Sequence, residues 1–194
     1  SGWGGLSLQA VADQFPTGFP VPEDRSLIHE FYTPTKVVRE VARVIRPLVL
    51  DLPRADGVVL ALEPSAGIGR FIQAAAGPGF EDLQWLAVEW SELSARMLQA
   101  LRPDFDLFNG PFERWVREHG SEYAGRVGLV LSNPPYGQRG VSITEDTDRG
   151  YREKNAYAYF LRRSLDLLAP NGLGVFLIPS GFLSGRGGPQ VALR

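Results

Sequence analysis

The chain has 194 residues, 44% of them hydrophobic and 22% charged, with a formal net charge of −2. These values suit a globular domain with a real core and exclude the broad basic surface of a free-standing nucleic-acid binder. Cysteine is absent and the two histidines, His29 and His119, lie far apart, which excludes disulfides and thiolate metal sites, so no bound metal is expected. Apolar runs such as 127–131 and 173–178 fall well short of the roughly 20 residues of a membrane span, so no membrane partner and a cytoplasmic location are expected.

Residues 1–30 mix Gly, Pro and scattered apolars without a period and read as an arm packed on a domain formed by residues 31–194. Thr33 and Pro34 predict a helix start, Thr33 as N-cap and Pro34 at the first helical position. Val37, Val38, Val41, Val44, Ile45 and Leu48 follow at helical spacing. VVLAL (58–62) is apolar without alternation, as in a strand buried on both faces, and a helix is expected from about Arg70. QWLAV (84–88) predicts the second strand, and Ser91 opens a helix with Leu93, Met97, Leu98 and Leu101 on one side. FDLF (105–108), PFERWVREHG and VGLVLS (127–132) predict a third strand, a short helix and a fourth strand. A helix over about 156–168, stopped by Pro170-Asn171-Gly172, precedes a fifth strand, LGVFLI (173–178). Strands alternating with helices predict an α/β fold, a mainly parallel sheet with helices on both faces.

In such sheets ligands bind outside the carboxyl ends of the strands. There the sequence reads EPSAGIG, EWS, NGPF, SNPPYG and PSGF. Gly67 and Gly69 permit a tight turn, but Ile72 stands where a dinucleotide fingerprint has its third glycine, and no Gly-Lys-Ser/Thr follows for a phosphate loop. Glu63 closes the first strand and would repel a pyrophosphate while suiting a cationic amino-acid moiety. Glu89 closes the second about twenty residues past Gly69, where an acid commonly takes ribose hydroxyls. Acid, GxG and acid fit S-adenosylmethionine, which has a ribose and an ammonium but no phosphate. Trp90, beside Glu89, is placed to cover the cofactor adenine or to join the core.

At the fourth strand end Pro134 forces Asn133 to be extended, and two successive prolines cannot donate to a sheet, so the chain leaves with its carbonyls facing the crevice. Asn133 offers a side-chain oxygen, Pro134 a backbone oxygen and Tyr136 an aromatic face, together a pocket for a planar amino group. Two out-of-plane acceptors would draw such a nitrogen toward tetrahedral geometry, ready to attack a sulfonium methyl in line without a basic side chain.

Over about residues 28–184 the sequence resembles the amino-group, adenine-specific DNA methyltransferases, whose signature is (D/N/S)PP(Y/F). SNPPY matches that motif, EPSAGIG the glycine loop, AVEW the ribose acid and HEFYTPTKVVREV the N-terminal cofactor motif. NAYAYFLRRSLDLLAPNGLGVFLIPSGFLSG looks like the helix and fifth strand of large bacterial and phage proteins that fuse such a methylase to a helicase. The resemblance implies a Rossmann-like S-adenosylmethionine-dependent methyltransferase fold and methylation of the N6 amino group of a flipped-out adenine in DNA, in a restriction-modification setting. It also implies that Thr33 helps bind the methionine carboxylate. Where the family usually has Asp-Phe after the third strand, this chain has Asn109-Gly110-Pro111-Phe112; Asn109 can still hydrogen-bond the cofactor adenine, with Phe112 in the place of the ring.

The family pattern continues with two final strands and a target-recognition domain, so the catalytic domain is expected to be C-terminally truncated here, with DNA engaged with help from a fused or associated recognition domain or helicase. The stretch 137–154 with Arg139, Arg149, Arg152 and Lys154, followed by Arg162 and Arg163, reads as a duplex-contacting loop or as a solvated loop balanced by Glu145, Asp146 and Asp148. Methylation of a protein glutamine amide or RNA adenine, and a catalytically silent binding module of the same fold, remain alternative readings.

Overall fold

A computed structural model of the protein describes residues 32–103, 105–136, 145–151, 153 and 155–184. The expected N-terminal arm, Arg139, Arg152 and Lys154 lie outside them. In chain order the elements are α1 (Thr35–Ile45) with a 3-10 turn (Arg46–Asp51), β1 (Val59–Glu63), α2 (Arg70–Ala74), β2 (Leu83–Glu89), α3 (Glu92–Leu101) and β3 (Asp106–Asn109). There follow α4 (Phe112–Tyr123), β4 (Val127–Ser132), a 3-10 turn (Arg149–Tyr151), α5 (Ala156–Leu167), β5 (Leu168–Phe176) and α6 (Gly181–Ser184). The strands form one parallel sheet in the order β3-β2-β1-β4-β5. The order reverses between β1 and β4, so the crevice opens where EPSAGIG and SNPPYG end their strands.

β1 and β4 are buried at every position, as expected of central strands covered on both faces. One apolar layer joins Val38, Ala42, Ile45, Phe71, Ile72 and Leu98 to one face of the sheet. The other joins Leu62, Val88 and Val130 to Phe112, Trp115, Tyr159 and Phe160 from α4 and α5.

Several expectations are corrected. Pro34, with ψ 138°, is itself the residue before the helix, and no side chain caps α1. The buried stripe of α1 is Val38, Ala42 and Ile45, continued by Val49, while Val37, Val44 and Leu48 face outward. On α3 the buried residues are Ser94, Ala95 and Leu98, and Leu93, Met97 and Leu101 are exposed. On α3 small residues, Ser94 and Ala95, occupy the inward face beside Leu98, whereas α1 buries Val38 and Ile45 along with Ala42, so there the phase of the helix and not side-chain size separates inward from outward. Pro170-Asn171-Gly172 does not stop α5. That helix ends at Leu167 and passes directly into β5, whose pairing slips from Val127↔Leu168 to Leu129↔Leu173. The extra residues form an irregularity with Asn171 at φ 67°, tolerable because β5 lies at the end of the strand order, where Pro170 owes no ladder hydrogen bond.

Candidate functional site

The glycine turn is built at the carboxyl end of β1. Gly67 and Gly69 hold φ of 54° and 72°, a region that disfavours side chains, and a Cβ on Gly69 would meet Leu98 Cδ1 at 2.4 Å. Glu89, at the end of β2, closes this turn: its Oε2 accepts the Gly67 N–H at 2.6 Å and its Oε1 accepts the Ser91 N–H at 2.6 Å. α2, the helix expected from about Arg70, is only five residues long, so its dipole adds little at this strand end.

Glu63 lies one strand away and is 2% exposed. Among the described residues its buried Oε2 has no hydrogen-bond partner. Burial raises its carboxyl well above the ordinary 4.5, the nearby Glu89 charge raises it further, and the Ile72 amide only partly offsets them. An orphaned buried acceptor beside a second acid is a site short of positive charge. The set fits S-adenosylmethionine: a strand-end acid for the ribose, a glycine turn for close approach, and an unsatisfied carboxyl suited to a cation.

Asn109, exposed at the end of β3, donates from Nδ2 to the Glu89 carbonyl at 2.8 Å and to the Trp90 carbonyl at 3.5 Å. It therefore ties β3 to the end of β2. Trp90 is 66% exposed, so it stands at the crevice rim and not in the core. Phe112 is corrected: it is 2% exposed and packed against Trp115, Tyr159 and Phe160, and so presents no open ring to a ligand.

At the end of β4 the Asn-Pro-Pro-Tyr stretch lies against the glycine loop. Ser65 Oγ donates to the Asn133 backbone carbonyl at 3.2 Å and lies 3.2 Å from Ser132 Oγ. One of the carbonyls expected to face the crevice is thus used internally. The Asn133 side chain is held at both ends: Nδ2 donates to Thr33 Oγ1 at 3.0 Å, and Oδ1 accepts the Tyr136 hydroxyl. The same hydroxyl lies 3.0 Å from the Leu177 carbonyl, beyond β5, and its single proton serves one of these acceptors at a time. Partial burial raises the Tyr136 phenol above its ordinary 10.0, so it stays protonated at neutral pH, and the ring is 41% exposed. Pro134 is buried.

Thr33, 7% exposed, reaches Asn133 with its hydroxyl, while its carbonyl accepts Arg70 Nη1 at 2.7 Å. Tyr32 precedes it, with its hydroxyl 3.0 Å from Ser94 Oγ and its ring under the Arg70 guanidinium. Ser65, Arg70 and Ser94 escape a reading of the sequence, because only the fold brings them to the strand ends; the placement of Ser65 inside EPSAGIG was the available signal. A concavity of about 560 Å³ lined by Phe80, Trp85, Arg102 and Phe105 lies instead at the amino ends of β2 and β3, away from Glu63, Glu89 and Asn133.

Two of the arginines that follow the motif are occupied: Arg163 pairs with Asp146 at 2.6 and 2.8 Å and Arg162 with Glu153. Glu145 is taken instead by Arg114 of α4, at 2.8 and 2.9 Å. Burial alone would raise Asp146, but the Arg163 and Tyr159 hydrogen bonds outweigh it and hold the carboxyl below its ordinary 3.8. For these residues the balanced-loop reading describes the structure.

The architecture is that of class I S-adenosylmethionine-dependent methyltransferases. A Listeria monocytogenes protein assigned to that class matches 87% of this chain and 54% of its own with a TM-score of 0.65 at 17% identity. The methyltransferase subunit of a type I restriction-modification system from Streptococcus thermophilus matches 86% of this chain and 40% of its own, with a TM-score of 0.58 at 17% identity. The model of the Eco57I restriction-modification methylases matches residues 92–192, more than half of the chain, and the chain belongs to that family. Defense against restriction protein B of Escherichia phage P1 is 27% identical over 168 residues, 86% of this chain but 7% of that protein. Family and fold together imply S-adenosylmethionine as cofactor. No helix among the described residues is long and apolar enough to cross a membrane.

Proposed function

We propose that this chain transfers a methyl group from S-adenosylmethionine to the exocyclic N6 nitrogen of an adenine flipped out of DNA. The observation that carries the reading is the Asn133 carboxamide at the end of β4, tied to the N-terminal motif through Thr33 and to the glycine loop through Ser65. When bound, the cofactor supplies an electrophilic methyl on a sulfonium. Glu89 and the Gly67–Gly69 turn hold its ribose side, Glu63 meets its positive charge, Thr33 its carboxylate, and Asn109 and Trp90 its adenine.

Asn133 Oδ1 takes one hydrogen of the substrate amino group and the Pro134 carbonyl the other. This localises a lone pair that is otherwise delocalised into the ring. Tyr136 stacks on the base with its exposed ring. No side-chain base is needed, because the product nitrogen is cationic and acidic until its proton leaves. Extracting the base costs a few kcal/mol, which phosphate contacts must offset. With Arg114, Arg162 and Arg163 engaged in ion pairs, recognition falls largely to other parts of the protein, such as a fused or associated target-recognition domain or helicase. The chain spans 7% of the length of its phage relative.

The test supplies labelled methyl donor to the intact protein with adenine-containing DNA, RNA or glutamine peptides, in wild type and Asn133→Ala. Label on DNA adenine, lost by at least about a hundredfold in the variant, is expected. Label on RNA or peptide alone would replace the substrate, and unchanged turnover of Asn133→Ala would remove the motif from the mechanism.

A further inference from the structure

Thr33 and Asn133 lie one hundred residues apart in sequence and meet in a direct hydrogen bond of 3.0 Å, Nδ2 donating to Oγ1. The acceptor is fixed from several sides. Arg70 Nη1 holds the Thr33 carbonyl at 2.7 Å, the Arg70 guanidinium also lies over the Tyr32 ring, and the Tyr32 hydroxyl bonds Ser94 on α3. Thr33 is itself 7% exposed and immediately precedes Pro34, whose ring restricts its backbone to extended conformations. Such a hydroxyl is a stationary partner, unlike a water or a mobile surface side chain.

A carboxamide has two chemically different ends, and only the oxygen can accept a hydrogen from a substrate amino group. With the nitrogen tied to Thr33, the oxygen is left facing Tyr136 and the crevice. The backbone of the same residue is held separately by Ser65. Without Thr33, the Tyr136 hydroxyl alone among the described side chains holds the carboxamide, and one hydrogen bond to a rotatable phenol leaves the terminal torsion of Asn133 loose.

We infer that Thr33 is a positioning residue for the transfer step: its hydroxyl holds the Asn133 carboxamide in the place and plane from which Oδ1 meets the substrate, beyond any contact it makes with the methyl donor. The inference rests on the proposed role of Asn133 as acceptor. It also gives the N-terminal segment a part in chemistry that its distance from SNPPY in sequence conceals.

The experiment compares Thr33→Val, which keeps the shape and removes the hydroxyl, with Thr33→Ser, which keeps the hydroxyl, in the intact protein. Thr33→Val is expected to lower kcat by about tenfold or more, while donor Kd by calorimetry weakens by about fivefold at most from the lost carboxylate contact, and Thr33→Ser to recover most of the rate. High-resolution structures of wild type and Thr33→Val supply a readout independent of turnover. The wild-type amide should be a single orientation with its nitrogen toward Thr33, and the variant amide turned or split. A variant that keeps wild-type kcat, weakens only donor binding, or leaves the amide as it was overturns the inference. If instead Asn133→Ala keeps turnover, the reading of Asn133 falls, and the paired structures still decide what Thr33 does.

Discussion

Two buried acids, Glu63 at the end of β1 and Asp146 before the 3-10 turn at Arg149–Tyr151, show opposite ways of placing a carboxyl out of water. Asp146 is surrounded by donors: Arg163 in a bidentate pair and the Tyr159 hydroxyl at 2.7 Å. Its ionised form is favoured despite burial. Glu63 has an orphaned oxygen, a like charge nearby in Glu89, and a carboxyl held toward its neutral form. The first arrangement is complete without a ligand and anchors the segment after the motif to α5. The second is destabilising as it stands and becomes favourable when a cation arrives. A satisfied buried charge points to structure, and an unsatisfied one beside a glycine turn points to binding.

The largest expected effect comes from breaking the complete arrangement. Asp146→Ala should cost about 3 kcal/mol, because the Arg163 guanidinium is left largely buried without its partner, and calorimetric melting of the intact protein would show it as a lowered transition. Glu63→Gln should act oppositely on stability and function. The folded state holds the Glu63 proton more tightly than the unfolded state, whose value is near the ordinary 4.5. Its contribution is therefore full below that pH and is lost as pH rises through the higher folded value. A glutamine removes this slope, so the variant should melt higher than wild type at neutral pH while binding the methyl donor about tenfold more weakly, a loss of roughly 1.4 kcal/mol in a charge-assisted contact. Equal donor affinity in titration calorimetry would undo the contrast between the two acids. The smallest effect should be at the exposed margin of the anchored segment, where Arg114→Ala leaves the melting temperature unchanged within error, since the Glu145 pair it breaks is solvent-screened.

The strands and the glycine turn were legible because parallel strands covered on both faces leave unbroken apolar runs, and their ends carry the acids and glycines in fixed order. The outward faces of α1 and α3 were not. On α3, Met97 is more apolar than Ser94, yet the smaller residue faces inward, because close packing of helix on strand rewards low volume; on α1 the inward Val38 and the outward Val37 are the same residue type, and only the phase of the helix separates them. Pro170-Asn171-Gly172 reads as punctuation, and the slipped pairing of β4 with β5 absorbs it as an irregularity inside a strand. The residue types of the candidate site could be read from EPSAGIG, AVEW and SNPPY. The Thr33–Asn133 and Ser65–Asn133 bonds could not, since hydroxyls have no sequence signature for a partner that only the topology supplies.

The Tyr136 hydroxyl between Asn133 Oδ1 and the Leu177 carbonyl leaves a shortfall of one hydrogen: two oxygens converge on a group that can offer only a single proton. That one proton can pass between Oδ1 and the Leu177 carbonyl, so the tyrosine is clipped to the chain beyond β5 as well as to the carboxamide, and a shift at either oxygen is felt at the other.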